Sequence, residues 1–297
     1  MSLFVIFNPH SGKGRGARLV GPVLEALSPS RSVEHALTAK AGDEERLAAE
    51  AVARDVDTIV AVGGDGTWSN VANGILKSGR AARLGLIPGG TGCDLAKSLG
   101  IPRDPAAAAA VVTAGHSRRI DAGRIEGRYF LNIVGFGYDV AVLEDSWKVT
   151  WLQGELLYLY CALRQLRSFP GFSIETAIDD DAAERRELLM LIVANARVFG
   201  GGFKIAPGAD LDDGRLDVMA FRNMGLFARL GIMARLLRGT HADSSKVAAM
   251  RASNLRLEFR EPPTYETDGE WNQAKSSEVL IEAVPKALEV LAPGPTR

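Results

Sequence analysis

Three glycine-rich segments in the first third of the chain are the residues best suited to hold a phosphate group. They span residues 8–16, 63–67 and 88–94, and each follows an apolar run. Glycine lets backbone N–H groups approach phosphate oxygens, and the N-terminus of a following helix favours an anion. None of the segments is a Walker A loop or a complete GxGxxG fingerprint. One such segment is equally typical of a tight turn, but three in succession favour a phosphate site.

A carboxylate lies inside the second of these segments. Asp65 is flanked by glycines in the stretch Gly63-Gly64-Asp65-Gly66-Thr67. An acidic group beside phosphates needs a cation as a partner, and Mg²⁺ bridging Asp65 and nucleotide phosphates would supply it. The segment therefore indicates magnesium-assisted phosphoryl chemistry.

The elements that must position these segments alternate between strand and helix. Continuous apolar runs predict buried strands at residues 3–7, 58–62 and 84–87, and helical spacing predicts helices at 17–27, 44–54, 70–78, 94–99 and 106–114. This alternation predicts an α/β domain with a doubly wound, mostly parallel sheet. Ligands bind such sheets beyond the carboxyl ends of the strands, where the glycine-rich segments lie.

The pattern changes after about residue 121 to strands separated by turns. We predict strands at residues 128–134, 172–178, 188–195, 216–222, 254–259 and 278–283, and helices at 151–167 and 226–237. A mostly antiparallel, sandwich-like or barrel-like second domain is expected. We assign residues 1–123 to the first domain and 124–284 to the β-rich domain, with segment 285–297 a candidate to complete the first.

Composition excludes several classes of protein. The 297 residues are 46% hydrophobic and 24% charged, with 35 Lys and Arg against 36 Asp and Glu, so a strongly basic nucleic-acid binder is not expected. Two separated cysteines, Cys93 and Cys161, exclude a disulfide framework and favour a reducing cytosol. No apolar stretch approaches the ~18 residues of a membrane span, so we expect a soluble, cytoplasmic protein.

The order of the motifs identifies a family. The segments NPHSGKG, GGDGT and PGGTGCD resemble those of the diacylglycerol kinase catalytic family, which includes bacterial lipid kinases and sphingosine kinases. The resemblance continues through Gly135-Phe136-Gly137-Tyr138-Asp139, the stretch 206–214 and Asp268-Gly269-Glu270. It implies an active site in a cleft between an α/β domain and a β-sandwich-like domain. GGDGT alone is weak, since nicotinamide-dinucleotide kinases and phosphofructokinases share it.

The resemblance also implies which residues bind ATP. By similarity they lie in the three glycine-rich segments and at one isolated threonine. The implied contacts are Asn8, Pro9, His10, Ser11, Gly12, Thr38, Gly63, Gly64, Asp65, Gly66, Thr67, Trp68, Ser69 and Thr91.

Carboxylates perform the chemistry that the resemblance implies. Asp65 and Asp94 are similar to an acidic pair that organises the catalytic Mg²⁺ through water. Asp268 and Glu270 are similar to the residues that take the proton from the attacking hydroxyl, and the sequence leaves open which of them is the base. A second, structural Mg²⁺ is implied at the turn 210–215, bound by the Asp213 side chain and by main-chain oxygens of Asp210 and Arg215. A solvated hairpin turn is the alternative there.

The sequence departs from the family pattern at a few positions. Trp68-Ser69-Asn70 replaces the usual hydrophobic-Asn-Glu, and Cys93 replaces an Asn. Serine reaches less far than asparagine, so the nucleotide preference stays open. Trp68 either stacks on a base or packs at the start of a helix, and Cys93 is most simply a small buried residue.

Two helical stretches are candidates for contact with a membrane. Residues 226–238 combine an apolar face with Arg229, Arg235 and Arg238 at its margin, as in basic amphipathic helices that lie on lipid surfaces. Residues 151–169 are rich in Leu and Tyr. For both, packing on the sandwich is the alternative.

These observations predict an ATP- and Mg²⁺-dependent lipid kinase that contacts the inner membrane surface transiently and acts in phospholipid biosynthesis. A diacylglycerol-like lipid is the expected substrate, and no nucleic acid is expected as a partner. A nicotinamide-dinucleotide kinase is the enzymatic alternative, and a non-catalytic nucleotide- or lipid-binding regulator is the other. A homodimer is compatible with the sequence.

Overall fold

The computed structural model describes residues 2–28, 33–152 and 155–294, and the chain divides into two compact units. The first unit comprises residues 1–120 and 286–297, and the second comprises residues 121–285. The boundary assigned from the sequence is residue 123. Residues 295–297 of the C-terminal segment, and Gln153 and Gly154 of the predicted helix 151–167, lie outside the described residues.

Parallel strands form the centre of the first unit. Its strands are β1 (Leu3–Phe7), β2 (Val33–Leu37), β3 (Thr58–Gly63) and β4 (Arg83–Pro88). They pair in the order β2-β1-β3-β4, and residues 289–290 add a further parallel pairing to the start of β4. Every residue of β1 and β3 is buried, as the continuous apolar runs predict. The predicted doubly wound, parallel architecture is confirmed.

Among the described residues, three helices connect these strands and two more follow β4. They are α1 (Ser11–Leu27), α2 (Asp43–Ala53), α3 (Asp65–Lys77), α4 (Asp94–Leu99) and α5 (Pro105–Ala114). Helices α1 and α3 begin earlier than predicted, inside the glycine-rich segments, because glycine lowers the helix propensity on which the prediction depends. Within α1, Gly12, Lys13 and Gly14 have left-handed backbone angles, so its first turn is kinked.

Antiparallel strands form the second unit, together with three helices and a short 3-10 helix at His241–Asp243. The strands are β5 (Ser117–Ile125), β6 (Arg128–Phe130), β7 (Ile133–Gly137), β8 (Phe172–Ile178), β9 (Glu184–Ala194), β10 (Leu216–Arg222), β11 (Val247–Ala252), β12 (Asn254–Glu258), β13 (Thr264–Thr267), β14 (Glu270–Gln273) and β15 (Glu278–Leu291). Residues 117–120 of β5 and 286–291 of β15 belong to the first unit. The helices are α6 (Tyr138–Ser146), α7 (Glu155–Ser168) and α8 (Leu226–Arg238). The predicted β-rich second domain is confirmed.

The strand pairings of the second unit place Asp268 and Glu270 at one hairpin. Strand β9 pairs with β7, β8 and β10, and β7 pairs in turn with β13. Strands β13 and β14 form a tight hairpin whose turn is Asp268-Gly269. One hydrophobic cluster lies between the sheet and helices α6 to α8, and a second lies among the strands. Within the described residues, no helix is long and apolar enough to cross a membrane.

Candidate active site

Asn8, the first residue after β1, connects the first glycine-rich segment to its neighbours. Its side-chain N–H groups donate hydrogen bonds to Oε1 of Glu44 at 3.0 Å and to Oγ1 of Thr67 at 3.1 Å. Its side-chain oxygen accepts a bond of 3.0 Å from the backbone N–H of His10. The amide thus uses both kinds of hydrogen-bonding group, and it fixes the first segment to the second through Thr67.

The second and third glycine-rich segments touch backbone to backbone. The N–H groups of Gly89 and Gly90 both donate to the carbonyl of Gly63, at 2.7 and 2.9 Å. A Cβ atom on Gly90 would lie 2.5 Å from the Cα atom of Gly64, so the close approach requires glycine. The Arg15 guanidinium of the first segment donates to the carbonyls of Gly89 and Gly90. The predicted phosphate segments therefore form one continuous surface at the carboxyl edge of the sheet.

Asp65 and Asp94 lie together around Gly92. The Asp65 carboxylate accepts the backbone N–H groups of Asp94 at 3.1 Å and of Leu95 at 3.0 Å, which caps the N-terminus of α4. Oδ1 of Asp94 accepts a bond of 2.8 Å from Nζ of Lys97. A Cβ atom on Gly92 would lie 3.1 Å from Oδ2 of Asp65 and 3.6 Å from Oδ2 of Asp94. The structure thus brings the predicted acidic pair together.

Thr38 and Thr91 follow the carboxyl ends of β2 and β4. Thr38 is buried, and its backbone N–H donates to the carbonyl of Phe7 at 2.9 Å. Thr91 is exposed, and its carbonyl accepts a bond of 2.9 Å from the guanidinium of Arg103. In a parallel sheet these ends share one edge with the glycine-rich segments. Their roles as nucleotide contacts stay predictions.

The residues that depart from the family pattern are packed inside the first unit. Trp68 is fully buried, and its indole N–H donates to the carbonyl of Ala61 at 3.1 Å, so stacking of this ring on a base is wrong. Ser69 is also buried, and its hydroxyl lacks a hydrogen-bond partner among the described residues. Burial raises the pKa of Cys93 to about 11, with a further contribution from the charge of Asp65.

In the second unit, Asp268 is a buried anion held by backbone groups. Its carboxylate accepts the N–H groups of Leu131 at 2.9 Å, Asn132 at 2.8 Å and Ile133 at 3.1 Å. The backbone N–H of Asp268 donates in return to the carbonyl of Ile133 at 3.2 Å. Three donors on one carboxylate stabilise its charged form and leave it poorly placed to accept a proton. Asp268 therefore fixes the position of the turn.

Glu270 is the accessible carboxylate of the same hairpin. Its side chain is 40% exposed, and Oε2 accepts a bond of 2.6 Å from the Arg128 guanidinium. Charge-assisted bonds of this kind restrict the orientation of a carboxylate. Since Asp268 is committed to the backbone, Glu270 is the better placed of the two predicted acids to meet a substrate.

Behind the turn lies a pair of carboxyl groups that sequence reasoning missed. Glu266 is opposite Gly135 in the β13–β7 pairing, and a Cβ atom on Gly135 would lie 2.1 Å from Oδ2 of Asp139. Oδ2 of Asp139 and Oε1 of Glu266 are buried, and neither atom has a hydrogen-bond partner among the residues that the structure describes. Burial raises the pKa of Asp139 to about 7. Burial and the neighbouring Asp139 raise the pKa of Glu266 well above its ordinary value, so both carboxyl groups favour the protonated form.

An apolar cavity of about 220 Å³ lies in the second unit, beside helix α6. Its aromatic wall consists of Phe136, Phe169, Phe172 and Phe259. Glu144, on α6, is the charged residue among those that line it. Apolar cavities with few polar groups are the usual binding sites for hydrophobic ligands.

Comparison with known proteins assigns the family. A family model described as the diacylglycerol kinase catalytic domain matches residues 2–125, and one described as the YegS C-terminal NAD kinase beta sandwich-like domain matches residues 132–292. A diacylglycerol kinase of Bacillus subtilis strain 168 is 34% identical over 273 residues, which cover 90% of this chain and 89% of that protein. The chain belongs to the diacylglycerol kinase catalytic family. The protein is therefore a lipid kinase, as predicted, and membership of a kinase family implies ATP as the phosphoryl donor.

Solved structures share the fold of this kinase. A diacylglycerol kinase from Bacillus anthracis strain Sterne superposes with a TM-score of 0.78 at 22% identity, covering 98% of this chain and 97% of that one. An NAD kinase from Archaeoglobus fulgidus in complex with ATP gives a TM-score of 0.54 at 15% identity, over 98% and 93% of the two chains. At these identities the likeness concerns the fold alone.

The acidic pair of the first unit could hold a magnesium ion through its water ligands. Both Asp65 oxygens accept backbone N–H groups, and Oδ1 of Asp94 accepts the Lys97 ammonium group. Mg²⁺ dehydrates reluctantly and usually keeps several waters, so contact through those waters suits this arrangement.

The turn expected to bind a structural magnesium fits an ion poorly. Oδ1 of Asp213 accepts the backbone N–H of Arg215 at 3.0 Å, and Oδ2 is 3.2 Å from the Arg251 guanidinium. An arginine thus supplies the positive charge that the ion was expected to supply. The described residues contain no cluster of three or more His, Cys, Asp and Glu suited to a metal. The donor set favours an ion pair here, and the intermediate exposure of Asp210 is consistent with a surface turn.

Proposed function

We propose that this lipid kinase transfers the γ-phosphoryl group of ATP to the free hydroxyl of diacylglycerol, with Glu270 as the base. The proposal rests on the difference between the two carboxylates of the β13–β14 hairpin. Three backbone N–H groups bind Asp268, whereas Glu270 is partly exposed and oriented by Arg128. The names of the relatives support diacylglycerol as the acceptor.

In the proposed reaction, the lipid hydroxyl gives its proton to the Glu270 carboxylate as its oxygen attacks the γ-phosphorus. A bond forms between that oxygen and phosphorus, and the bond from the γ-phosphorus to the bridging oxygen of ATP breaks. ADP leaves with the electron pair of that bond. The carboxylate makes the alcohol a better nucleophile as it takes the proton, while positioning and charge neutralisation provide the rest of the catalysis.

We assign the phosphates of ATP to the surface made by the three glycine-rich segments. The hydrogen bonds from Asn8 to Thr67 and from Gly89 and Gly90 to Gly63 support this assignment, because they hold the segments in one arrangement. Asp65 and Asp94 would hold a hydrated Mg²⁺ through its water ligands. When bound, the ion would neutralise negative charge on the phosphates.

The apolar cavity is proposed as the site for part of an acyl chain. Its four phenylalanine rings offer a surface without hydrogen-bonding groups, which suits a hydrocarbon. The cavity also borders Gly137 and Val140, close along the chain to the carboxyl Asp139. A diacylglycerol bound there would be the source of the attacking hydroxyl. We further propose action at the cytoplasmic face of the membrane, in phospholipid synthesis.

The test measures transfer of label from γ-labelled ATP with Mg²⁺ to diacylglycerol in mixed micelles. Phosphatidylglycerol, a sphingoid base, a prenol and a nicotinamide dinucleotide are offered in parallel. We expect labelled diacylglycerol, and we expect Glu270→Gln to reduce kcat by about 10²–10⁴-fold. Glu278→Gln is the matched control, since it removes an exposed, ion-paired carboxylate from β15.

Three results would contradict the proposal. Label on the dinucleotide and on no lipid would assign the protein to the nicotinamide-dinucleotide kinases. Full activity of Glu270→Gln would show that Glu270 is not the base, whichever acceptor is phosphorylated. Binding of ATP without transfer to any acceptor would favour a regulator.

A further inference from the structure

Helices α7 and α8 of the second unit expose large apolar side chains. On α8, Phe227 is 88% exposed, Leu230 42% and Leu237 57%. Their spacing of three and then seven residues places them on one face, whereas Ile232 and Leu236 on the opposite face are buried. Side chains of this size rarely face solvent together unless the surface binds something.

The exposed face of α7 continues that of α8. Leu156 is 65% exposed and Leu163 is 48% exposed, again at a spacing of seven residues. Arg229 fixes the two helices to each other, because its side chain is buried and donates to the carbonyls of Leu166 at 2.6 Å and Phe169 at 2.9 Å. The two exposed faces therefore belong to helices in contact with each other, and together we call them the helical surface.

The position of Arg229 corrects an expectation from the sequence. Arg229, Arg235 and Arg238 were expected together at the margin of the apolar face, but Arg229 lies on the packed side. Its guanidinium also donates to the carbonyl of Met224 at 2.8 Å. Replacing it would loosen the packing of the helices and would not test what binds to the helical surface.

The exposed charged side chains that the structure describes on α7 and α8 are all basic. Among the described side chains of α7 and α8, the exposed charged groups are Arg164, Arg167, Arg235 and Arg238. A second copy of the chain would bring the same cations against these, which opposes self-association through this face. Anionic phospholipid head groups complement them, and each Lys or Arg near such a surface adds about tenfold or less to binding.

Aromatic side chains at the edge of the helical surface also favour a phospholipid membrane as the binding partner. Trp151 is 70% exposed, and its ring contacts that of Tyr160 with centroids 5.3 Å apart. Tryptophan and tyrosine prefer the boundary between hydrocarbon and water, because they combine an apolar body with a polar group. Solvent exposure of two such rings beside apolar and basic residues is typical of a membrane-contacting face.

We infer that the helical surface docks this enzyme on anionic phospholipid bilayers. The inference rests on the proposed function for its purpose, since a diacylglycerol substrate resides in the bilayer. The connection to the substrate is short. Phe169, whose carbonyl accepts from Arg229 at the end of α7, is also a wall of the apolar cavity.

The first experiment measures flotation of the full chain with vesicles of phosphatidylcholine alone, or of equal parts phosphatidylcholine and phosphatidylglycerol. We expect binding to the anionic vesicles, weakened by added salt. Phe227→Ser should weaken it by at least about tenfold, and the double variant Arg235→Glu, Arg238→Glu by on the order of thirtyfold or more. Leu280→Ser, which removes a 60% exposed leucine from β15, is the matched control and should bind normally.

A second measurement separates docking from catalysis. With a short-chain diacylglycerol that is dissolved in water, the variants should phosphorylate at the wild-type rate, because none of them alters the proposed active site. Vesicle binding that depends on Phe227 without any lipid phosphorylation by the wild type would support docking while refuting the proposed function. Unchanged flotation of both variants would overturn the docking proposal. So would a dimer of the wild type that Phe227→Ser converts to a monomer, since the helical surface would then be an interface between copies.

Discussion

Replacing Glu266 by Gln should reduce the pH dependence of the stability of the second unit between about 4 and 8. In the wild type, Asp139 and Glu266 place two carboxyl groups together behind the active-site hairpin, and they need a shared proton. The nearby charge of Asp268 adds to the repulsion on Glu266. In Glu266→Gln, the amide can donate to the Asp139 carboxylate at any pH, so the pair no longer needs that proton.

The sign of the pH dependence follows from proton binding. Burial raises the pKa of Asp139 from 3.8 to about 7, so the folded chain keeps a proton that the unfolded chain releases. Because the native state binds more protons in this interval, the free energy of unfolding falls as the pH rises from about 4 to 7. Each unit of the pKa shift corresponds to about 1.4 kcal/mol, so the free energy of unfolding falls by up to about 4 kcal/mol in total.

The assay is urea unfolding at a series of pH values, followed by tryptophan fluorescence. Trp147, Trp151 and Trp271 lie in the second unit, so the signal reports mainly on the unit that holds the pair. We expect the wild type to lose stability between pH 5 and 8, and Glu266→Gln to lose much less. The difference between the two proteins should therefore grow with pH in favour of the variant.

Glu187→Gln provides the matched control, because it removes a 64% exposed carboxylate from β9. Its stability should follow that of the wild type across the whole series. The reasoning is refuted if Glu266→Gln and the wild type give parallel curves, since the buried pair would then hold no proton that unfolding releases.

Three further perturbations test the first unit. Asn8→Ala should lower the free energy of unfolding by about 1–3 kcal/mol, because it removes the donors to Glu44 and Thr67. Asn8→Asp should lower it further, because a second carboxylate would face Glu44. Equal urea midpoints for the two variants would disprove the contact with Glu44. Gly90→Ala should reduce kcat/KM for ATP by about a hundredfold, because its Cβ would lie 2.5 Å from Gly64 Cα and displace the segments. Gly21→Ala, with open space around its Cβ in α1, should retain activity, and equal kinetics of the two alanine variants would contradict the close approach. Trp68→Phe should lower the free energy of unfolding by about 1–3 kcal/mol, because the hydrogen bond to Ala61 is lost. The preference for ATP over GTP should not change. A changed preference would show that the ring contacts the nucleotide.

The sequence predicts the fold well wherever the chain decides its structure locally. Strands β1 and β3 are buried on both faces, so their sequences are mostly unbroken apolar runs. Such runs predict a buried strand from the sequence alone. Strand β2, VEHAL, is half polar and mostly exposed, and it escaped prediction as a result. Helix α6 also escaped, because it begins directly at the glycine-containing motif 135–139 and offers little amphipathic contrast.

The roles of the site residues depend on contacts that local sequence does not contain. Asn8 and Thr67 are 59 positions apart, and Asp268 and Leu131 are 137 apart. Nothing near these residues along the chain indicates those partners. Glu44, Arg128 and Glu266 were missed in the sequence analysis for the same reason. Each of them interacts with a residue that is distant in the sequence. The spacing of α8, by contrast, could have identified Arg229 as inward, because it shares a helical face with the buried Ile232 and Leu236.

The hairpin β13–β14 illustrates why motif resemblance alone could not assign the base. Asp268 and Glu270 are two residues apart and similar in chemistry, so sequence treats them alike. Asp268 has a left-handed φ of 51° at the turn, which directs its carboxylate to the N–H groups of residues 131–133. Glu270 begins the next strand and extends to Arg128 and solvent. Backbone geometry therefore divides the two acids into a fixed anion that holds the turn and an accessible carboxylate that can accept a proton. Exchanging them, as Asp268→Glu with Glu270→Asp, would keep the charges but lose this division, and so the activity.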